Sequence, residues 1–358
     1  MPSTENILLH KIRRRKEEIS RYLVSDPTPI TDILINETID PLPYAEAMNG
    51  NFRTIAVGDS WGGSRNAWFK LRFTIPDKWE GKQVVALLDF GREACVYLGG
   101  RPYHGIDKHH GEMLLLERAR GGESFDLDVD AMSGPWWGPD KSDNEYEKGP
   151  LCLTRAEISA KNLDVEAYWY DLDTLYMLAE QLPEGSVRRA RIIRTLSLSV
   201  DAFDYTHTDE TSLRESALSA RAILAPLLEC RADASALTLA VVGHSHIDAA
   251  WKWPFAETRR KCARTFSTQL RLMERYPEFI FTQGQALLYS FVKEDYPELY
   301  EEIRRRASQG RWDVTGSMWV EADCNLSGGE SLVRQVLIGK NFFLDEFGVD
   351  TDVLWLPD

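Results

Sequence analysis

Hydrophobic residues in this chain follow three different patterns in turn, and no one class of domain accommodates all three. Across residues 51–130 the period is two. Phe69, Leu71, Phe73 and Ile75 share one face, Lys70, Arg72 and Thr74 the other, and Val84, Ala86, Leu88 and Phe90 repeat the pattern. Pro76-Asp77, Glu80-Gly81 and Gly99-Gly100 punctuate it. Short alternating strands between such turns predict an antiparallel β-sandwich. Across residues 154–230 the period is helical, with Leu172, Leu175, Leu178 and Ala179 on one face and Ala217, Ala220, Ile223 and Leu227 on another. From residue 236 onward short apolar strands (237–243, 279–282, 312–316 and 353–356) alternate with helices (255–276, 285–309 with a break at Tyr296-Pro297, and 330–347). Such repetition predicts a parallel sheet or an α/β barrel.

A chain of 358 residues is long enough for two or three domains. The expected organisation is multidomain. Residues 1–150 form the sandwich with a leading charged helix at 10–22, residues 151–235 a helical connector, and residues 236–358 the α/β part. Residues 132–149, rich in Pro, Gly and charge, read as a loop or linker. Trp61, Trp68, Trp136 and Trp137 are either stacking faces for a sugar or core and interdomain residues.

Charge and composition exclude several functions. The net charge of −14 argues against nucleic-acid binding, which calls for a basic face, and against docking on anionic lipid. The basic run Arg13-Arg14-Arg15-Lys16 is followed at once by Glu17 and Glu18 and reads as a solvated helix face. The longest apolar run, 236–242, is far below the ~18 residues of a membrane span. The N-terminus has its basic cluster after its apolar residues, the reverse of a secretory signal. Cys95, Cys152, Cys230, Cys262 and Cys324 are scattered and odd in number, as in a cytoplasmic protein with reduced thiols.

The chemistry gathers where the predicted strands end. In parallel α/β folds working residues cluster at the carboxyl ends of the strands. The first strand runs into Gly243-His-Ser-His-Ile-Asp248, the third into Trp319-Val-Glu-Ala-Asp323, and the fourth into Pro357-Asp358. His246 and Asp248, two apart, point the same way in extended backbone. Imidazole nitrogen with carboxylate oxygen suits Zn²⁺ or Co²⁺ better than Ca²⁺. Asp358, on a neighbouring strand end, offers a third ligand. His244 lies on the same face as His246, and spacing does not choose between them.

These residues carry a resemblance. Gly243-His-Ser-His-Ile-Asp-Ala-Ala-Trp251, with Trp253-Pro254 and Glu257-Thr-Arg-Arg-Lys-Cys262, resembles the opening of family 38 glycoside hydrolases, the α-mannosidases. It continues through Phe281-Thr-Gln283, Gly310-Arg-Trp312, Met318-Trp-Val-Glu-Ala-Asp323, Gly329-Glu-Ser-Leu-Val-Arg-Gln335 and Val353-Leu-Trp-Leu-Pro-Asp358. Upstream, Trp68-Phe69, Phe73-Thr-Ile-Pro76 and Glu80-Gly81-Lys82 are similar to the N-terminal β-domain of the cytosolic and vacuolar branch, and not to the Golgi or lysosomal branch. Asn325-Leu-Ser-Gly328 departs from the family, which more often has Pro after the Leu.

The resemblance implies the following. The α/β part is the first half of a seven-stranded barrel. His246, Asp248 and Asp358 are metal ligands, which settles the choice against His244 by analogy. Asp358 is the nucleophile. Trp251 lines the sugar subsite, Trp319, Glu321 and Asp323 sit on the same rim, and Asp323 meets substrate hydroxyls. The cofactor is one divalent metal, Zn²⁺ first and Co²⁺ second. The reaction is retaining hydrolysis of α-mannosidic bonds in mannosides or oligosaccharides, with no nucleic-acid or membrane partner and homo-oligomerisation left open. The family's general acid/base and its remaining His ligand lie later than the nucleophile, so the sequence is expected to be the N-terminal part of a longer enzyme and to be inactive alone. The rival readings are a metal-dependent carbohydrate deacetylase or amidohydrolase, and a non-catalytic sugar-binding module.

Overall fold

The computed structural model describes residues 4–62, 66–132, 151–206, 209–231 and 235–357. The chain opens with helix α1 (Thr4–Ile19). There follow strands β1 (Val24–Pro29) and β2 (Asp32–Thr38), the short helix α2 (Tyr44–Ala47), and strands β3 (Arg53–Thr54), β4 (Ser60–Trp61) and β5 (Asn66–Thr74). Next come β6 (Val84–Asp89), β7 (Ala94–Leu98), β8 (Arg101–Ile106), β9 (Glu112–Leu116), β10 (Ser124–Met132), β11 (Leu151–Cys152) and β12 (Arg155–Lys161). Helices α3 (Leu163–Gln181), α4 (Val187–Ala202) and α5 (Glu210–Leu228) lead to the last part. That part comprises β13 (Gly243–His244), α6 (Phe255–Arg275), β14 (Phe281–Gln283), α7 (Ala286–Asp295), α8 (Pro297–Ser308), β15 (Trp312–Val314) and α9 (Gly329–Phe347).

The expected sandwich is present. One antiparallel sheet runs β1-β12-β6-β9 and the other β3-β2-β5-β10-β7-β8. Alternation along β5 turns Phe69 and Leu71 inward onto Val84, Ala86 and Leu88 of the facing sheet, while Arg72 and Thr74 stay exposed. The sandwich draws on more of the chain than residues 51–130. Residues 155–161, expected to open the helical part, are strand β12, an inner strand of the four-stranded sheet. Ala156, Ile158 and Ala160 alternate into the core there, and pairing with β6 on one side and β1 on the other overrides a helix-compatible composition.

The leading helix also sits elsewhere than expected. Ile12 and Ile19 of α1 are buried with Val165, Leu172, Ile193 and Leu196, so α1 packs with α3, α4 and α5 in a core of its own. Of its basic run Lys16 pairs with Asp173 of α3, with Lys11 beside it on Asp201 at 2.5 Å, while Arg13 and Arg14 stay exposed and Arg15 pairs with Glu18 on the same helix. Trp61 and Trp68 are buried, Trp61 in the sandwich core and Trp68 against Tyr97 and, from the far part of the chain, Tyr296. Trp136, Trp137 and nearly all of the expected loop at 132–149 lie outside the described residues.

The last part contains a parallel sheet in the order β13-β14-β15, with α6 joining the first pair and α7 and α8 the second. Two expected strands are corrected. Of residues 237–243, only Gly243 pairs. Leu237, Leu239 and Val241 project into solvent, 81–90% exposed, because no strand lies on their other side among the described residues. Residues 353–356 form no strand either. That segment is tied instead to the turn after β15, where the Ser317 N–H donates to the Val353 carbonyl at 2.9 Å.

Helix α6 joins the two halves of the molecule. Cys262, Phe266, Leu270 and Met273 face the parallel sheet, whereas Arg260 and Arg264 face the sandwich. Gly105 of β8 lets the helix lie directly on the sheet, since a Cβ there would stand 3.0 Å from the Arg264 carbonyl oxygen. Its N–H donates to Thr268 Oγ1 at 2.8 Å.

Candidate active site

The carboxyl ends of β13, β14 and β15 meet at one place, and polar residues collect there. Directly after β13 the chain turns through Ser245 to Asp248. After β14 come Gly284 and Gln285, and the loop after β15 delivers Glu321. Gly284 lies between Trp355 and Glu321: a Cβ on it would be 3.4 Å from the Trp355 ring and 3.6 Å from Glu321 Oε1.

The two histidines are held differently. His244 Nδ1 is 3.0 Å from the Thr282 carbonyl oxygen. A carbonyl only accepts, so Nδ1 carries the proton. Nε2 is then an acceptor, and Trp355 Nε1–H donates to it at 3.3 Å, with the rings edge to face at 5.1 Å. Both nitrogens are thus engaged, and a metal can reach His244 only by displacing Trp355 or the carbonyl.

His246 is placed between two carboxylates. Nε2 is 3.5 Å from Asp248 Oδ1, and Nδ1 is 2.9 Å from Glu321 Oε2. Two ligands of one tetrahedral zinc, each at its usual bond length, are about 3.3–3.4 Å apart. The Nε2–Oδ1 spacing fits that edge, so His246 and Asp248 can hold such an ion between them. The spacing on the Nδ1 side is that of a hydrogen-bonded pair. His244, His246 and Glu321 also offer ligand atoms within 4.8 Å of one another, but that grouping requires His244 to give up its present partners. Asp248 and His246 are about one-third exposed, whereas the Glu321 side chain is only 8% exposed. Burial pushes the Glu321 carboxyl above its ordinary range, and the nearby His246 and Gln285 partly offset this. The Glu321–His246 contact is a charge contact at hydrogen-bond distance, since neither Glu321 oxygen receives a well-aligned hydrogen bond.

Gln285 is the one non-glycine residue at positive φ among the described residues (φ 59°, ψ 90°), and it is buried. Such a backbone costs of order 1–3 kcal/mol. Its side-chain amide donates to the Ile247 carbonyl at 2.8 Å, the residue between His246 and Asp248.

The remaining expected site residues are distributed around this cluster. Trp251 is 57% exposed, with its edge on Trp253 and Lys252 over one face of the ring. Trp319 is half-buried, packed edge-on against Phe342 of α9. Asp323 is exposed, and its Oδ1 accepts the N–H groups of Asn325 and Leu326, so it shapes its own turn. Asp358 lies outside the described residues.

Residues 236–358, the stretch that contains this cluster, match the model of the glycosyl hydrolases family 38 N-terminal domain. That part of the chain belongs to glycosyl hydrolase family 38. Residues 28–159, which hold most of both sheets of the sandwich, match an α-mannosidase jelly roll domain. Among curated proteins, the chain is similar to Alpha-mannosidase 2C1 of Homo sapiens, 36% identical over 90% of this chain and 31% of that protein. It is similar also to Alpha-mannosidase G of Dictyostelium discoideum, 31% identical over 91% of this chain and 30% of that protein. The chain therefore spans about a third of the length of these relatives. Among solved structures, a Ruminococcus gnavus β-glucuronidase is 16% identical over 38% of this chain and 28% of that chain, at a TM-score of 0.26, too slight a likeness to bear on fold or function.

Gln285 and Trp355 of this family 38 domain were not picked out by sequence reasoning, and Glu321 was placed only on the rim. The available signal was the polar run Thr282-Gln-Gly-Gln285 at the end of an apolar strand. For Trp355 no local signal exists, because its partner His244 is 111 residues away in sequence.

Proposed function

We propose that this chain carries the metal-binding and nucleophilic part of a retaining α-mannosidase acting on mannosides or oligosaccharides. The observation that carries the reading is the His246 Nε2–Asp248 Oδ1 spacing of 3.5 Å at the carboxyl end of a parallel sheet within a family 38 match. The printed names of the relatives, α-mannosidases, support the substrate class.

In this reading His246, Asp248 and Asp358 hold a divalent ion, Zn²⁺ first and Co²⁺ second. When bound, the ion supplies positive charge and a template for the sugar's 2- and 3-hydroxyls. Asp358 attacks the anomeric carbon and forms an ester to it. The aglycone oxygen leaves with a proton from a second carboxylic acid about 5–5.5 Å away, and water then hydrolyses the ester with retention. Trp251, the most exposed ring of the cluster, offers the sugar an apolar platform. Asp323 and Trp319 flank it on the rim. The consecutive order β13-β14-β15 suits the first part of a seven-stranded barrel, and the exposed Leu237, Leu239 and Val241 supply an apolar edge for further strands. The chain divides into units near residues 1–150, 151–235 and 236–358, the first drawing β12 from beyond its nominal end.

The test is chelation and reconstitution of the intact enzyme with an aryl α-mannoside as substrate. Activity lost to chelator and restored by Zn²⁺ or Co²⁺ is the expected result. A mechanism-based mannosyl fluoride that keeps the 2-hydroxyl should label Asp358. Full activity in His246→Ala, or labelling at Glu321 or Asp323, would overturn the assignment.

A further inference from the structure

We infer that Glu321 is the outer carboxylate of a carboxylate–histidine–metal triad, orienting His246 through Nδ1 so that Nε2 faces the ion. The inference rests on the metal reading above and goes beyond it by naming a positioning residue and the ring nitrogen that binds.

The geometry divides the two sides of the imidazole. On the Nε2 side stands Asp248, one-third exposed to solvent, at a spacing that fits two ligands of one ion. On the Nδ1 side stands Glu321, with its side chain 92% out of solvent and its Oε2 at 2.9 Å. A metal-bound histidine almost always gives its other N–H to a carboxylate or carbonyl, which fixes the tautomer and makes the ring a better ligand. Glu321 stands where that acceptor is required. Burying a carboxylate without an aligned donor is unfavourable, and packing alone offers no reason for one here.

The surroundings hold both partners. Gln285, in its left-handed backbone, donates to the Ile247 carbonyl and lies beside the Glu321 carboxylate, so one side chain ties the turn carrying His246 and Asp248 to the loop carrying Glu321. Val320, next to Glu321, donates its N–H to Gln335 Oε1 at 2.9 Å, which anchors that loop to α9. His244 takes no part in this arrangement, since Thr282 and Trp355 occupy its nitrogens.

The experiment measures, in the intact enzyme, Zn²⁺ affinity by competition with a chromophoric chelator, and the visible spectrum of the Co²⁺ form, for the unaltered protein, Glu321→Gln and Glu321→Ala. Far-UV circular dichroism establishes that each variant is folded. A positioning carboxylate predicts graded losses. Gln keeps an acceptor for Nδ1–H and should bind about tenfold more weakly, and Ala should approach 100-fold. The intensity of the Co²⁺ bands should stay near that of the unaltered protein, because the ligand count is the same. Affinities within twofold of the unaltered protein in both variants would overturn the inference and leave the metal reading standing. Equal losses in Gln and Ala with a change in Co²⁺ band intensity would make Glu321 a direct ligand and also overturn it. No stoichiometric binding by the unaltered protein would overturn both readings.

Discussion

Arg260 of α6 grips both carboxylate oxygens of Asp130 on β10, Nε to Oδ2 at 2.8 Å and Nη2 to Oδ1 at 2.5 Å, across the seam between the α/β part and the sandwich. Both side chains are at most 7% exposed. Around them Glu257, Arg264, Glu93, Lys261 and Asn66 complete a network in which three cations face three carboxylates. The expected consequence is that Asp130→Ala, which leaves Arg260 buried and uncompensated, destabilises the protein by about 3–5 kcal/mol. Urea denaturation measures it. Asp130→Ala combined with Arg260→Met should lose less than Asp130→Ala alone. A double variant that is worse than the single one would mean that the pair stabilises the seam by more than mutual neutralisation.

Acid should open the same seam. Burial alone would raise the Glu93 carboxyl, but Arg264 and Lys261 outweigh it and hold the group at about 2, against an ordinary 4.5. The folded value lies below the unfolded one. The contribution is therefore fully present above about pH 4.5 and is lost as pH falls through 4.5 towards 2. Glu93→Gln should be less stable than the parent at pH 7, and the gap between them should narrow across that interval. A gap that stays constant from pH 7 to pH 3 would show that Glu93 does not titrate as the geometry requires.

A protease with apolar specificity should cut first near residues 237–242, where Leu237, Leu239 and Val241 are exposed and without sheet hydrogen bonds. The two pieces should stay together. Helix α6, downstream of the cut, is docked on β7 and β8 through the buried network and through Thr268 on Gly105. The nicked chain should run as one species in native gel filtration and as two bands on a denaturing gel. Separation under native conditions would mean that the seam is weaker than its burial suggests. Nothing local to Arg260 or Arg264 in the sequence reveals that they face a sheet.

Packing of α9 on the site loop has its own test. A Cβ on Gly339 would lie 2.3 Å from the Ser317 carbonyl oxygen and 2.7 Å from the Trp319 nitrogen. Those are backbone atoms and cannot rotate aside. Gly339→Ala should therefore push α9 off the loop that leads to Glu321, at about 1–3 kcal/mol of stability, and should weaken metal binding as well. Thermal unfolding and chelator competition on the same sample read the two effects. Unchanged melting would mean that the helix has slack which these distances do not allow.

What could be read from the sequence depended on whether a residue's partners were near it in the chain. Phe69 and Leu71 announce a strand through their own alternation, and His246 and Asp248 announce a site through a two-residue spacing. Residues 155–161 (RAEISAK) are rich in helix formers, and only their neighbours β1 and β6 make them extended. Gln285 gains its role from Ile247, 38 residues back, and Glu321 from His246, 75 residues back. Residues 353–356 have the composition of a strand, but the structure ties them to Ser317 instead.

The inner position of β12 also bears on how the protein is born. Val24 pairs with Lys161, so β1 leaves the ribosome well over a hundred residues before its neighbour exists. Until then β1 and one side of β6 are bare edges on an emerging polypeptide, the kind of surface that pairs with whatever strand is nearest. Ribosome-bound chains stalled before Arg155 are expected to be protease-sensitive and to recruit holding chaperones. Chains stalled far enough beyond Lys161 for β12 to clear the exit should become resistant in a single step. Resistance rising gradually, strand by strand, would mean that the six-stranded sheet forms without waiting for its partner.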